Sequence, residues 1–406
     1  MVSEHSLSGL TRSRQHSITT LAIGDSQYLA RAEAHLDHME ISMANEASNR
    51  QRILSALARK SAAGDLPFLP WGLDALAAPP HPSYAPLFDI LRERAVIKRR
   101  WVDRPDFFLP APPVQIETQR KVRDGIVAES TRLIAANGEL YGERRDIPGT
   151  TASEATSRYL KSPEDVDLYL SWPFAAPAVE AAPCFELDRD VAERGVVTHR
   201  IPSALGVVGE NFEPEPFALL SVENTDLALT LIETIAGRVY RHVRGLLEAG
   251  ARPIFILGGP EFATPPLLSP RRFDDFVVRF DRPLIELIHS YGCLVIVHCH
   301  GRLDAVLERF VDLGVDGLHP LESPPMGDVT LAEAKRRVGV HICFIGTVQI
   351  GDMMSAPPRE VARQVRAIRE QACAGMILTT SATPYESPMS EQLMQNYVAA
   401  IEAASE

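Results

Sequence analysis

Apolar side chains recur along this chain with two distinct periods, and the two alternate. From residue 226 onward, LALTLIETIAGRVYRHVRGLLEAG places apolar residues three and four apart and closes on Gly250, the pattern of an amphipathic helix. The continuous apolar run PIFILGG follows and reads as a buried strand. A helix then opens at Ser269-Pro270 and runs to about Tyr291, followed by strand CLVIVHC, helix LDAVLERFVDLG and a short strand around Gly317-Leu318. A helix over residues 330–337 leads to strand VHICFIG, helix PREVARQVRAIREQAC, strand MILTTS and a last helix near 388–404. Apolar strands separated by amphipathic helices predict βα units around a parallel sheet covered on both faces. No GxGxxG element accompanies them. The pattern therefore favours an α/β fold of the (β/α)₈ TIM-type barrel class over a dinucleotide-binding sheet.

The first half is patterned more weakly. NRQRILSALARKSAAGD predicts a helix beginning near Asn49, and LPFLPWG is the candidate first strand. Residues 74–115 are rich in Pro and aromatics and read as loops and short elements that wall a pocket. Ser162, followed by Pro163 and acidic residues, predicts a capped helix start. Two parts result: residues 1–45, an N-terminal arm, mobile or forming a helical extension, and residues 46–406, the barrel.

The bulk numbers narrow the function. The 406 residues are 45% apolar and 23% charged, enough for a large core. A formal charge of -12 argues against a broad nucleic-acid or anionic-membrane surface. No apolar run approaches the roughly 18 to 20 residues of a membrane span, and the N-terminus lacks the apolar core of a secretory signal. Five scattered cysteines do not suggest a disulfide framework, so reduced thiols in a cytoplasm are expected.

In a TIM-type barrel the chemistry sits at the C-terminal ends of the strands, where polar residues recur here. VIVHCHG puts His298 and His300 on one face of a strand and Cys299 on the other, as outer packing. Glu322 lies in the next strand-end loop. Two imidazoles and a carboxylate with an open position are a recurring zinc set, so His298, His300 and Glu322 are the candidate metal ligands; hydrogen-bonded histidines at a mouth are the plainer alternative. Glu261, in the tight GGPEF turn, is a candidate ligand, acid/base group or loop anchor. Gln349 and Ser381 are candidates to orient a substrate, with backbone satisfaction as the alternative. His319, extended ahead of Pro320, supports the site rather than ligating. The paired arginines (Arg99-Arg100, Arg144-Arg145, Arg271-Arg272, Arg336-Arg337) read as solvated helix faces. Neither a phosphate loop of the GxxxxGK type nor a nucleophile elbow is present.

The stretches LLSPRRFDDFV, IHSYGCLVIVHCHG, LGVDGLHPLESPP, FIGTVQIGD and GMILTTSATP, with Asn396 after them, resemble the uroporphyrinogen decarboxylase superfamily. Weaker likeness reaches back to about residue 45. The resemblance implies a (β/α)₈ barrel and a choice among branches. The arginine-bearing N-terminal stretch of the true decarboxylase is absent. The methyltransferase branch carries His-x-Cys on this strand, an acidic residue on the next and a later Cys. Here His298 matches the His, His300 stands in the Cys position, Glu322 matches the acidic residue, and Ser381-Ala382 holds no thiol. The resemblance implies Zn²⁺ or another divalent ion more Lewis-acidic than a thiolate site, and a methyl- or alkyltransferase acting on a small molecule. O-demethylation with a separate corrinoid protein, or with a thiol or pterin acceptor, is the version expected. A metal-assisted hydrolase or lyase and a metal-independent decarboxylase-like enzyme are the alternatives. A homodimer is the oligomeric state the superfamily implies.

Overall fold

The computed structural model describes residues 47–406 apart from Ala63, Arg104, Ala372 and Cys373, so the arm expected at 1–45 lies outside the described residues. Helix Asn49–Leu57 begins where the sequence places it, because Ser48 and Gln51 cap each other's backbone: Gln51 N–H donates to Ser48 Oγ at 3.2 Å, and Ser48 N–H to Gln51 Oε1 at 3.0 Å. Its apolar face, Ile53, Ala56 and Leu57, is fully buried against the lumen residues of the barrel. Burying an aliphatic side chain such as Ile53 or Leu57 is worth roughly 1.5–3 kcal/mol, so this helix acts as a floor for the barrel.

Eleven strands are named in chain order: β1 Ile97–Trp101, β2 Gln115–Arg123, β3 Ile126–Ala135, β4 Gly138–Asp146, β5 Ser153–Ser157, β6 Gly195–Pro202, β7 Ile254–Gly258, β8 Val295–His298, β9 Gly317–His319, β10 Cys343–Val348 and β11 Met376–Thr380. Seven of them form one parallel sheet in the order β1-β6-β7-β8-β9-β10-β11. The run LPFLPWG supplies the remaining rung. Leu69 N–H donates to Leu378 O at 2.9 Å, Leu378 N–H to Pro67 O at 3.0 Å, and Val96 N–H to Phe68 O at 3.0 Å. The sheet thereby closes on itself, and the architecture is the predicted (β/α)₈ type.

Closure sorts the side chains into two cores. One lies in the lumen and includes Leu69, Val96, Val196, Ile256, Ile296, Ile345 and Ile377; the other joins the outer strand faces to the surrounding helices. Cys299 belongs to the outer core and is fully buried, as its alternation from His298 requires. Burial pushes its thiol well above the usual range.

Residues 74–115 are loops and short elements, as expected, and the elements are helix Ala85–Arg94, the turn of helix before it and strand β1. The sequence IKRRW looks unlike a barrel strand because its middle is Lys98, Arg99 and Arg100. A four-stranded antiparallel sheet that the sequence pattern did not announce, order β2-β3-β4-β5, is inserted between β1 and β6. Strand β2 is exposed at every position, so it carries no apolar alternation to read. Leu133 and Leu140 tie this sheet into the outer core. Thr151 N–H donating to Tyr385 O (3.0 Å) ties it to the loop after β11. Arg99-Arg100 and Arg144-Arg145 therefore sit on strands rather than on helix faces. No helix among the described residues is long and apolar enough to cross a membrane.

Candidate active site

The strand ends gather most of the predicted residues, but in pairs. His319, at the end of β9, is completely buried. Its Nε2 lies 3.0 Å from Thr380 O and its Nδ1 lies 2.8 Å from His298 Nδ1. A carbonyl only accepts, so Nε2 carries the proton. Burial first, and then the neighbouring His298, hold the His319 pKa well below the ordinary imidazole value, so the ring is neutral and its Nδ1 is a lone pair. The proton in the 2.8 Å contact therefore belongs to His298 Nδ1. Burial and His300 also hold His298 well below its usual pKa. A neutral His298 protonated on Nδ1 presents a lone pair on Nε2, which makes no hydrogen bond among the described residues. This Thr380–His319–His298 chain fixes a tautomer in the way that a carbonyl or carboxylate orients a ligating or basic histidine.

Trp71 clamps the chain. Its ring stacks on His319 with centroids 3.4 Å apart and on His298 at 5.4 Å, and Lys98 Nζ sits 4.0 Å from the same ring centre. Together these side chains line the upper lumen. A cleft of about 350 Å³ opens instead at the opposite end of the strands, between Arg52, Asp65, Arg94 and Arg369, the face that in such barrels serves stability.

His300 lies one step further out. Its Nδ1 donates to Glu322 Oε2 at 3.2 Å, and Gly301 N–H donates to the same oxygen at 3.1 Å. Burial pushes the Glu322 carboxyl up, but His300 and Gly301 outweigh it and the net direction is down. Glu322 is accordingly an anion held beside an imidazole that is partly open to solvent. His298 and His300 rings meet edge-on with centroids 4.8 Å apart. Among the described residues no three His, Cys, Asp or Glu side chains stand together as a metal-holding group. The donor chemistry of His298, His300 and Glu322 suits a divalent ion; bringing the three together requires the His300–Glu322 hydrogen bond to open.

Glu261 sits on the loop after β7 and accepts from Gly259 N–H at 3.0 Å, which anchors its own turn. Gly259 has φ +123°, and a Cβ there would come within 2.4 Å of Gly206 Cα, so the turn needs glycine twice over. Burial raises the Glu261 pKa despite two backbone hydrogen bonds and the nearby His300. Ser381 is buried; its Oγ accepts from Ile350 N–H at 3.0 Å and its N–H donates to Val348 O at 2.8 Å. Gln349 Nε2 is a buried amide donor with no partner among the described residues.

Three residues escaped the sequence reading. Lys98 and Arg200 continue the lumen-facing alternation of Val96 and Val196, and Trp71 belongs to the lumen core itself. Strand alternation could have found the first two had β1 and β6 been recognised.

Residues 206–385 match the model of the uroporphyrinogen decarboxylase (URO-D) family. Among solved structures, a methyltransferase from Methanosarcina mazei superposes with TM-score 0.60 at 16% identity, covering 89% of this chain and 99% of that one. A D-psicose 3-epimerase gives TM-score 0.34 at 12% identity over 60% of this chain and 86% of that one. A second D-psicose 3-epimerase, from Clostridium cellulolyticum H10, gives 0.31 at 12% over 56% and 82%. No curated protein matches the chain. The matched segment carries Glu261, both strand-end imidazoles of β8, His319, Glu322, Gln349 and Ser381, so over residues 206–385 the chain is similar to the uroporphyrinogen decarboxylase family.

Proposed function

We propose that this protein is a methyl- or alkyltransferase acting on a small molecule held over the barrel mouth. The observation that carries the reading is the fixed lone pair of His298 Nε2, held by His319 and Thr380 at a strand end, where barrels of this class do chemistry. The methyltransferase from Methanosarcina mazei, whose fold matches over 89% of this chain, supports the choice of reaction.

In this reading His298, His300 and Glu322 hold a divalent ion, with zinc the first choice; the ion supplies Lewis acidity toward a substrate oxygen. The chain's own groups do the rest. His319 keeps His298 in the right tautomer. Glu261, its pKa raised by burial, moves a proton at the substrate, and the unpartnered amide of Gln349 offers a hydrogen bond to it. Ser381 holds the turn into helix Ile350–Ser355 and has its hydroxyl proton left to donate. The methyl group passes to or from a separate corrinoid protein, a thiol or a pterin.

The test is methyl transfer between methylcobalamin and a small thiol, followed by the change in corrinoid absorbance. His298→Ala is expected to lower kcat/KM by roughly 100-fold or more, the usual loss of a positioned histidine. Elemental analysis of the purified protein should find about one divalent ion per chain, depleted in the variant. Turnover unaffected by His298→Ala overturns the reading. Failure of corrinoid, thiol and pterin alike as methyl carriers moves the assignment to a hydrolase or decarboxylase-like lyase on the same mouth.

A further inference from the structure

Of the five lysines in the sequence, Lys60, Lys121 and Lys161 are exposed, Lys335 is half-buried, and only Lys98 lies inside the barrel, 3% exposed. A buried ammonium ordinarily finds a carboxylate or several hydrogen-bond acceptors, because an unpaired charge in an apolar interior is very costly. Lys98 Nζ has neither among the described residues. Nζ lies instead over the face of Trp71, 4.0 Å from the ring centre.

The charged groups around it do not supply an anion. Arg100 follows two residues along the same lumen-facing edge of β1, and Arg200 continues that edge on the neighbouring strand β6. Asp74 is the carboxylate that acts on Lys98, but it is already engaged: it accepts from Arg99 Nε at 3.1 Å, Arg100 N–H at 3.0 Å and Leu76 N–H at 3.1 Å. His298 and His319, stacked on the same Trp71, are engaged with one another. Burial first, and then Arg100, bring the Lys98 pKa down to about 7, with Asp74 opposing weakly. A desolvated lysine beside other cations is the recognised setting of an amine nucleophile. Lys98, Arg200 and Trp71 all lie outside the segment that matches the superfamily, so this cluster belongs to the part of the chain whose chemistry the family likeness does not cover.

We propose that Lys98 is an amine nucleophile that forms an imine with the carbonyl carbon of a small aldehyde or ketone entering the barrel mouth. In the step, the amine lone pair makes the new C–N bond. The carbonyl oxygen then leaves as water with the two protons that the amine gives up, and no oxidant or reductant is consumed. The inference is independent of the methyl-transfer reading, since it concerns a different residue and a different bond.

Reductive trapping tests it. The intact protein at pH 7 is incubated with pyruvate or acetaldehyde and sodium cyanoborohydride, digested, and the five lysine-bearing peptides are compared by mass spectrometry. An ordinary lysine is a free amine in roughly one molecule in three thousand at that pH, whereas a group with a pKa near 7 is about half free. The expected result is one reduced adduct per chain, on Lys98, formed at least ten times faster than on Lys60, Lys121 or Lys161. Lys98→Arg, which keeps the charge but cannot form the imine, should lose that adduct while its circular dichroism and melting curve stay those of a folded protein. Wild-type labelling spread evenly over the exposed lysines, or none at Lys98 with either probe, overturns the proposal. These outcomes are read on the wild-type chain, so they stand even if the variant fails to fold and whatever the methyl-transfer assay gives.

Discussion

Replacing His319 by Phe is the most informative perturbation of the mouth, because it keeps an aromatic ring against Trp71 and removes only the two nitrogens. His319 is fully buried, its Nε2 meets Thr380 O at 3.0 Å, and its Nδ1 meets His298 Nδ1 at 2.8 Å. The variant leaves a buried carbonyl without its donor and the His298 N–H without its acceptor. Each orphaned group costs about 1–3 kcal/mol, so His319→Phe should lose on the order of 2–6 kcal/mol, read as a lower midpoint in urea at unchanged slope. The second readout is the tautomer of His298 by ¹⁵N-detected imidazole NMR. Wild type should show His298 protonated on Nδ1 and bare on Nε2. In His319→Phe that preference should vanish, whereas His319→Asn, whose side-chain oxygen can still accept from His298, should keep it. A wild-type His298 protonated on Nε2 would refute the hydrogen-bond chain and with it the basis for reading this side chain as a ligand or base.

Two further outcomes follow. Lys98 is cationic in the unfolded chain up to about pH 10.5 but has a folded pKa near 7; the cost of burying it is therefore fully present below pH 7 and fades as pH rises toward 10.5. Lys98→Met should be more stable than wild type by on the order of 4 kcal/mol at pH 6, with the gap closing by pH 10.5 in urea titrations; a gap independent of pH would refute the assignment. Gly259→Ala forces a Cβ to 2.4 Å from Gly206 Cα at φ +123°; it should lower the melting temperature by several degrees, the effect of a few kcal/mol of backbone strain. A melt like that of wild type would mean the turn relaxes without loss.

The sequence made the barrel readable wherever a strand is apolar on both faces. PIFILGG, CLVIVHC, VHICFIG and MILTTS announce β7, β8, β10 and β11 because lumen and sheath both demand aliphatic side chains there. The same logic hid β1, whose lumen positions are Lys98 and Arg100. The inserted sheet was hidden for a different reason, since β2 faces solvent throughout. At the mouth, alternation correctly separated Cys299 from the two flanking imidazoles. It could not say that His298 would pair with His319 and His300 with Glu322, because those pairings depend on the register between β8 and β9 and on rotamers. Trp71 falls within the predicted first strand, yet nothing in LPFLPWG says that its ring will cover the histidine of a strand some 250 residues away. Contacts of such separation are visible only once the cylinder closes.

The sheet between β1 and β6 hangs from the end of the cylinder that carries the C-termini of the strands, stitched to the rim through Thr151 and Tyr385. Lengthening such an excursion adds little closure entropy and leaves the pairing of β1 with β6 untouched. One such awning can therefore be exchanged for another while the wall beneath stays put. Descendants of one barrel can in this way come to admit different visitors before a single imidazole changes.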